Sequence, residues 1–253
     1  MSLDPTAFPD ISVVIPVFNE ALIVEPAVRA LATQLDALGW SYEIILAENG
    51  SNDGTPAILA TLALTLPRVR VVSTSEPNYG RALRQGILGA RARIVLSDEI
   101  DLCDIDFHRR AVAELDAGRA DLVVGSKVGG GARDQRPLFR RLGTRAYTTL
   151  LRVLLGFRGT DTHGPKGFHR ETLLPIVETC VVERDVFASE LVIRAWRADL
   201  RVIELPILIA ERRPPSIHLW RRVPNVLRTV WTLRRALSSR PPSLTAAREA
   251  PPP

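Results

Sequence analysis

Ile94-Val-Leu-Ser-Asp-Glu-Ile-Asp-Leu102 joins a short apolar run to three carboxylates, Asp98, Glu99 and Asp101. The run 94–96 predicts a buried strand. Carboxylates crowded at a strand end repel one another unless a cation sits among them. Hard divalent ions such as Mg²⁺ take such oxygen ligands and share them with substrate phosphates. The same residues also read as an acidic loop that caps the next helix, and the segment alone leaves both readings open.

Working outward, residues 11–17, 42–47, 69–73 and 121–125 form further apolar runs that read as strands. Amphipathic stretches near 22–38, 55–66, 79–92 and 106–117 separate the runs and read as helices. This alternation predicts an α/β domain, a Rossmann-like, mostly parallel sheet with helices on both faces. Ligands of open α/β sheets bind beyond the carboxyl ends of the strands. The polar strand ends Asn19 and Glu20, Glu48 and Asn49, and Asp98 to Asp101 are therefore expected to converge on one crevice.

The remaining chain reads in order as a glycine-rich loop (128–137), a helix (138–155), a loop holding Asp161, His163 and Lys166 (156–167), a helix (186–198) and one or two strands (200–210). A basic amphipathic helix is expected from Pro224, proline suiting the first helical position. The expected division is a flexible start (1–10), one domain (11–216), the basic helix (217–237) and a proline-rich disordered tail (238–253).

Composition bounds the function. The 253 residues are 46% hydrophobic, enough for a sizeable core, and carry a net charge of +5, which favours anionic partners. Cys103 and Cys180 lie far apart, which excludes a disulfide framework and fits a reducing compartment. The start shows no signal-peptide pattern, and no apolar run approaches the roughly 18 residues that span a bilayer. A cytoplasmic location, possible also as a peripheral protein of the cytoplasmic membrane face, is the expectation. Aromatic residues are few and not interleaved with arginines, which argues against a nucleic-acid partner.

Four segments occur in order: Val13-Val-Ile-Pro-Val-Phe-Asn-Glu20, Glu48-Asn-Gly-Ser-Asn-Asp-Gly-Thr55, Asn78-Tyr-Gly-Arg-Ala-Leu-Arg-Gln-Gly86 and the acidic cluster. Together they resemble the family-2 glycosyltransferases of the GT-A fold, in particular the polyprenyl-phosphate (dolichol-phosphate) mannose and glucose synthases. The resemblance covers residues 10–236. It implies an inverting hexosyltransferase with a nucleoside-diphosphate sugar donor of the GDP-mannose or UDP-glucose type, a Mg²⁺ or Mn²⁺ ion, and a polyprenyl-phosphate acceptor.

The residues themselves carry part of that reading. The backbone of Pro16, Phe18 and Glu20 can line a base. Glu48 and Asn49 can bond a base or ribose edge; the family usually has two aspartates there. Ser51, Asn52 and Asp53 read as a cap for the helix from Thr55. Asn78 opens a helix, Gly80 and Gly86 permit close approach, and Arg81 and Arg84 either meet a diphosphate or form a solvated basic face.

Other roles follow from the resemblance. Glu99-Ile-Asp101 matches the family's Asp-x-Asp metal site, with Asp101 as the direct ligand, Glu99 direct or through water, and Asp98 as a supporting group. Lys127, Arg141 and Arg145 match the acceptor-phosphate region. Asp161 to Arg170 resembles a family segment with one or two extra residues, and His163 is a candidate contact to metal or substrate there. Glu190 is the candidate base or acceptor-site residue. Arg212, Arg213 and Ser216 match a mobile segment that closes over the diphosphate. No role is read for His108, His169 or His218. The apolar stripe Val223, Val226, Val230, Leu233 and Leu237, flanked by arginines, suits either an anionic membrane surface or packing on the domain. A hydroxyl acceptor, or nucleotide-sugar binding without catalysis, is the alternative function.

Overall fold

The computed structural model describes residues 8–127, 133–134, 138–182, 186–209 and 223–238. A seven-stranded sheet has the order β3-β2-β1-β4-β7-β5-β8. Its strands are β1 (Ile11–Val17), β2 (Tyr42–Asn49), β3 (Val69–Thr74), β4 (Ile94–Ser97), β5 (Leu122–Ser126), β7 (Lys166–His169) and β8 (Val202–Pro206). A two-stranded parallel ribbon joins β6 (Arg133–Asp134) to β9 (Leu208–Ile209). The helices are α1 (Val24–Ala37), α2 (Thr55–Thr65), α3 (Tyr79–Leu88), α4 (Ile105–Asp116), α5 (Leu138–Leu155), α6 (Arg170–Thr179), α7 (Phe187–Arg197) and α8 (Val223–Ala236).

Every residue of β1, β2, β4 and β5 is buried, as expected of strands covered on both faces. Side chains alternate between the two faces. Val14, Ile45 and Val95 join one core with α3, α5, α6, α7 and α8. Val13, Ile15, Ile44, Ile94 and Leu96 join the other with α1, α2 and α4. In α1 the buried residues are Val24, Val28, Leu31 and Leu35, one face of a 3.6-residue repeat.

Two elements go beyond what the sequence predicts. The loop expected over 156–167 ends in β7, which runs antiparallel between β4 and β5. Helix α6 follows it directly. The one or two strands expected over 200–210 are two, β8 and β9. Gly164, in the turn before β7, has a steric role. A Cβ on Gly164 would sit 1.8 Å from the Gly125 carbonyl oxygen, so only glycine lets this turn cross β5.

Helix α8 packs on the domain. Val230, Leu233 and Leu237 of its stripe are buried, and Arg194 and Arg197 donate to the carbonyls of Ala236 and Leu237 at its C-terminus. Arg228, Trp231, Arg234 and Arg235 stay exposed, with Arg235 stacked 3.7 Å over the Trp231 ring. Among the described residues no helix is long and apolar enough to cross a membrane. The expected terminal segments fall mostly outside the described residues.

Candidate active site

Strand order places the site. The chain runs outward from β1 to β2 and β3, then crosses back through α3 to β4 on the other side of β1. That reversal opens a crevice at the carboxyl ends of β1 and β4. A cleft of about 190 Å³ lies there, lined by Pro16, Val17, Phe18 and Glu20 after β1, by Asn49 from β2, by Tyr79 from α3, and by Glu99, Ile100 and Asp101 after β4. Of the strand-end groups, Glu20, Asn49, Glu99 and Asp101 converge on it, while Asn19, Glu48 and Asp98 do not line it.

The β1–α1 turn is braced by the segment after β2. Asn19 adopts φ 54°, a left-handed conformation that asparagine tolerates. The Asn19 N–H donates to Ser51 Oγ, the Glu20 N–H to Thr55 Oγ1 and the Ala21 N–H to Asp53 Oδ2, while Asn19 Oδ1 accepts from the Asn52 N–H. Ser51, Asn52 and Asp53 therefore do more than open a helix. The N-cap of α2 is Gly54, without a side-chain cap.

Glu48 turns into its own loop, where Oε1 accepts from the Ser51 N–H at 2.5 Å, and it does not line the cleft. Its expected contact with base or ribose does not fit that placement. Asn49 lines the cleft and its Oδ1 accepts from the Asn78 N–H. Asn78 caps α3 by accepting from the Arg81 N–H at 3.1 Å, so its side chain is a helix cap rather than a cleft-lining group. Gly80 is buried at the start of α3. Gly86 brings α3 onto β1, since a Cβ there would lie 2.5 Å from Val14 Cγ1. Arg81 sits in the first turn of α3. Arg84 does not reach the cleft: its guanidinium donates to the Val177 and Glu178 carbonyls at the end of α6.

The acidic cluster divides. Asp98 is buried, with Oδ1 accepting from the Glu99 N–H at 2.7 Å and Oδ2 from the Asp104 N–H at 2.9 Å. The fully buried His108 ring places Nε2 2.8 Å from the same Oδ2. Asp98 thus braces the turn from inside, and His108, to which the sequence assigned no role, lies in close contact with it without hydrogen-bond geometry at either ring nitrogen. Glu99 and Asp101 both line the cleft. Glu99 Oε1 accepts from the Tyr79 hydroxyl at 2.8 Å. Its carboxyl touches the cleft but lies deep in protein, and this desolvation raises its pKa. The Tyr79 bond and the Lys127 charge act against the rise, while Asp101 and Asp98 add to it.

Among the described residues no group of three or more His, Cys, Asp or Glu side chains is set to hold a metal ion alone. Of the acidic cluster, Glu99 and Asp101 face the cleft, which Glu20 also lines from the β1 side. That donor set fits Mg²⁺ or Mn²⁺, which bind through one or two carboxylates with water and substrate phosphates completing the shell.

Beside the cleft, Asp161 is buried and accepts from the N–H groups of His163 and Lys127. Burial alone would raise its pKa, but the Lys127 charge and these N–H bonds outweigh burial and lower it. Lys166 is buried in β7 with Nζ donating to the Gly164 carbonyl at 2.8 Å, and desolvation depresses its pKa to about 8. His163 stacks edge-on with Tyr147 at 5.5 Å and lines a smaller space beneath Glu99. Thr162 Oγ1 links His163 Nδ1 to Ser189 Oγ. On α5, Arg141 is half-buried and Arg145 exposed.

Glu190 does not face the cleft. It is fully buried in α7, where its carboxylate accepts from the Val181 and Val182 N–H groups and pairs with Arg194 at 2.7 Å. A carboxylate so saturated does not fit the expected role of base or acceptor contact. Arg212, Arg213 and Ser216 lie outside the described residues.

Comparison with known proteins agrees with this geometry. The model of glycosyl transferase family 2 matches residues 12–174. Glycosyltransferase AglD of Haloferax volcanii is 29% identical over 233 residues, covering 88% of this chain. The chain spans only 37% of that relative's length. An "uncharacterized glycosyltransferase" of Mycobacterium tuberculosis is 31% identical over 205 residues, 80% of this chain and 86% of that protein. Among solved structures, glucosyl-3-phosphoglycerate synthase from Mycobacterium tuberculosis, in complex with Mn²⁺, UDP and phosphoglyceric acid, superposes with a TM-score of 0.64 at 22% identity. It covers 89% of this chain and 78% of its own, a likeness that confirms the GT-A fold. The sheet order, the cleft at its reversal and the family match lead to one conclusion: the chain belongs to glycosyl transferase family 2.

Proposed function

We propose that this glycosyltransferase moves a hexose from a nucleoside-diphosphate sugar, with inversion, to an acceptor that carries a phosphate, polyprenyl phosphate being the leading candidate. The observation that carries the reading is the pair Glu99 and Asp101 facing Pro16, Phe18, Glu20 and Asn49 across one cleft. The nucleoside lies against the β1 and β2 side, with Asn49 and Glu20 supplying polar contacts in place of the inward-turned Glu48. The diphosphate lies toward Glu99, Asp101 and Arg81. Asp101 and Glu99 would hold the divalent ion, which would offset charge on the leaving diphosphate. Mn²⁺ and UDP occur together in the glucosyl-3-phosphoglycerate synthase complex.

The acceptor oxygen attacks the anomeric carbon from the face opposite the leaving group. A phosphate oxygen arrives ionised, so positioning by Lys127, Arg141 and Arg145 suffices and no strong base is required. The withdrawal of Glu190 from the base role favours this reading over a hydroxyl acceptor. A lipid-borne phosphate also suits the outer surface. Helices α5 and α8 contain no acidic residue. They expose Leu138, Leu142, Val153 and Trp231 among arginines, a combination that fits an anionic membrane face. A soluble phosphorylated acceptor is the second reading, supported by the phosphoglyceric acid bound in the structural relative.

The test is a transfer screen of the full chain with UDP- and GDP-sugars, Mg²⁺ or Mn²⁺, and either a short polyprenyl phosphate or 3-phosphoglycerate. Transfer to one of the two, lost on chelation and in Asp101→Ala, is expected. Transfer indifferent to chelator would remove the metal role, and transfer only to unphosphorylated alcohols would remove the phosphate acceptor.

A further inference from the structure

Three of the strand-end segments are joined by consecutive hydrogen bonds. Asn49, closing β2, accepts the Asn78 N–H; Asn78 caps α3 through the Arg81 N–H; and Tyr79, the first residue of α3, bonds Glu99 after β4. The Tyr79 ring packs against the core beneath α3, so its hydroxyl is presented from a fixed support. Glu99 stands where a shorter aspartate would leave fewer rotamers to order. A glutamate has one more torsion, and an unbraced carboxylate there would sample several positions. The hydroxyl engages Oε1 at 2.8 Å, and no hydrogen bond to Oε2 occurs among the described residues.

We propose that Tyr79 is a positioning residue: its hydroxyl selects the one conformer of Glu99 that presents the second carboxylate oxygen to a divalent cation shared with Asp101. This inference rests on the metal role given to Glu99 and Asp101 above. Glutamate and tyrosine then act as a unit. Shortening the carboxylate draws it away from the hydroxyl, after which the hydroxyl has nothing to orient.

The test is a Mn²⁺ titration of the full chain, with free Mn²⁺ read by electron paramagnetic resonance, for wild type, Tyr79→Phe, Glu99→Asp, the double variant and Asp101→Ala. Tyr79→Phe is expected to weaken Mn²⁺ binding on the order of tenfold with an unchanged thermal midpoint. In the Glu99→Asp background the same change is expected to have no effect, the signature of coupling between the two. Unaltered Mn²⁺ affinity in Tyr79→Phe, or losses that simply multiply in the double variant, would overturn the inference alone. A loss of affinity matched by a lowered midpoint would assign Tyr79 to packing and also overturn it. Wild type and Asp101→Ala binding Mn²⁺ alike would remove the metal site itself, and the inference with it.

Discussion

Glu99, after β4, and Glu190, in α7, are carboxylates largely withdrawn from solvent, and their surroundings assign them different work. Glu190 is met by two backbone N–H groups and a guanidinium, all within the protein. Glu99 is met by one phenol and keeps a face on the cleft. A buried carboxylate saturated by its own chain holds the fold. One that is only partly satisfied, beside a second carboxylate, is available to a ligand. The acidic cluster repeats the contrast over a few residues, with Asp98 spent on the Glu99 and Asp104 N–H groups and His108 while its neighbours face outward.

The largest effect that would sharpen this contrast is on stability. Glu190→Ala leaves the buried Arg194 without a counter-charge, and a loss of about 3–5 kcal/mol is expected in denaturant unfolding. Activity per folded molecule should hold; a specific loss of transfer in the remaining folded protein would return Glu190 to the chemistry. Asp101→Asn should do the reverse, lowering metal-dependent transfer by about 100-fold with little change in unfolding midpoint. Equal unfolding penalties for the two variants would break the comparison.

Smaller effects separate the cluster. Asp98→Asn should cost about 1–3 kcal/mol in unfolding through its buried partners, while reducing Mn²⁺ affinity less than Asp101→Asn does. Gly86→Ala tests the scaffold beneath the cleft. With its Cβ 2.5 Å from Val14, overpacking of about 1–3 kcal/mol is expected, readable as a lowered thermal midpoint.

The smallest effect is a pH dependence. Lys166 titrates near 8 in the fold against an ordinary 10.5. Below about 8 both folded and unfolded states bear the proton, and the fold bears the cost of burying it. Between 8 and 10.5 only the unfolded state keeps the proton, so the Lys166 contribution to stability rises with pH across that window. Lys166→Met should flatten this part of the pH–stability curve. An unchanged slope would show that the buried amine does not carry the effect.

The legibility of the molecule in its sequence differs between its halves. In the first half each strand is a mainly apolar run, interrupted at most by a single polar residue near its start (Ser12, Glu43, Arg70), and its polar end follows at once, as in 94–102. Strand, helix and candidate site residue are then read from neighbouring positions. The later half mixes scales. β7 is four residues with one large apolar side chain, Phe168, too short for a period, and its place in the sheet depends on Gly164 passing over Gly125. Arg84 shows the same limit from another side. It follows a phosphate-site pattern in sequence, yet the end of α6, almost a hundred residues away, captures its guanidinium.

The sequence by itself determined the α/β alternation, the convergence of strand ends on one crevice and the family, because each depends on local patterning and on the rule that open parallel sheets bind ligands at their carboxyl ends. Tertiary structure alone decided which carboxylates face that crevice. It turned Glu48 inward, tied Asp98 to the Glu99 and Asp104 N–H groups, buried Glu190 with Arg194 and set Tyr79 on Glu99. The physical reason is that a carboxylate's role depends on how many donors surround it, and those donors come from residues that only the folded chain brings together.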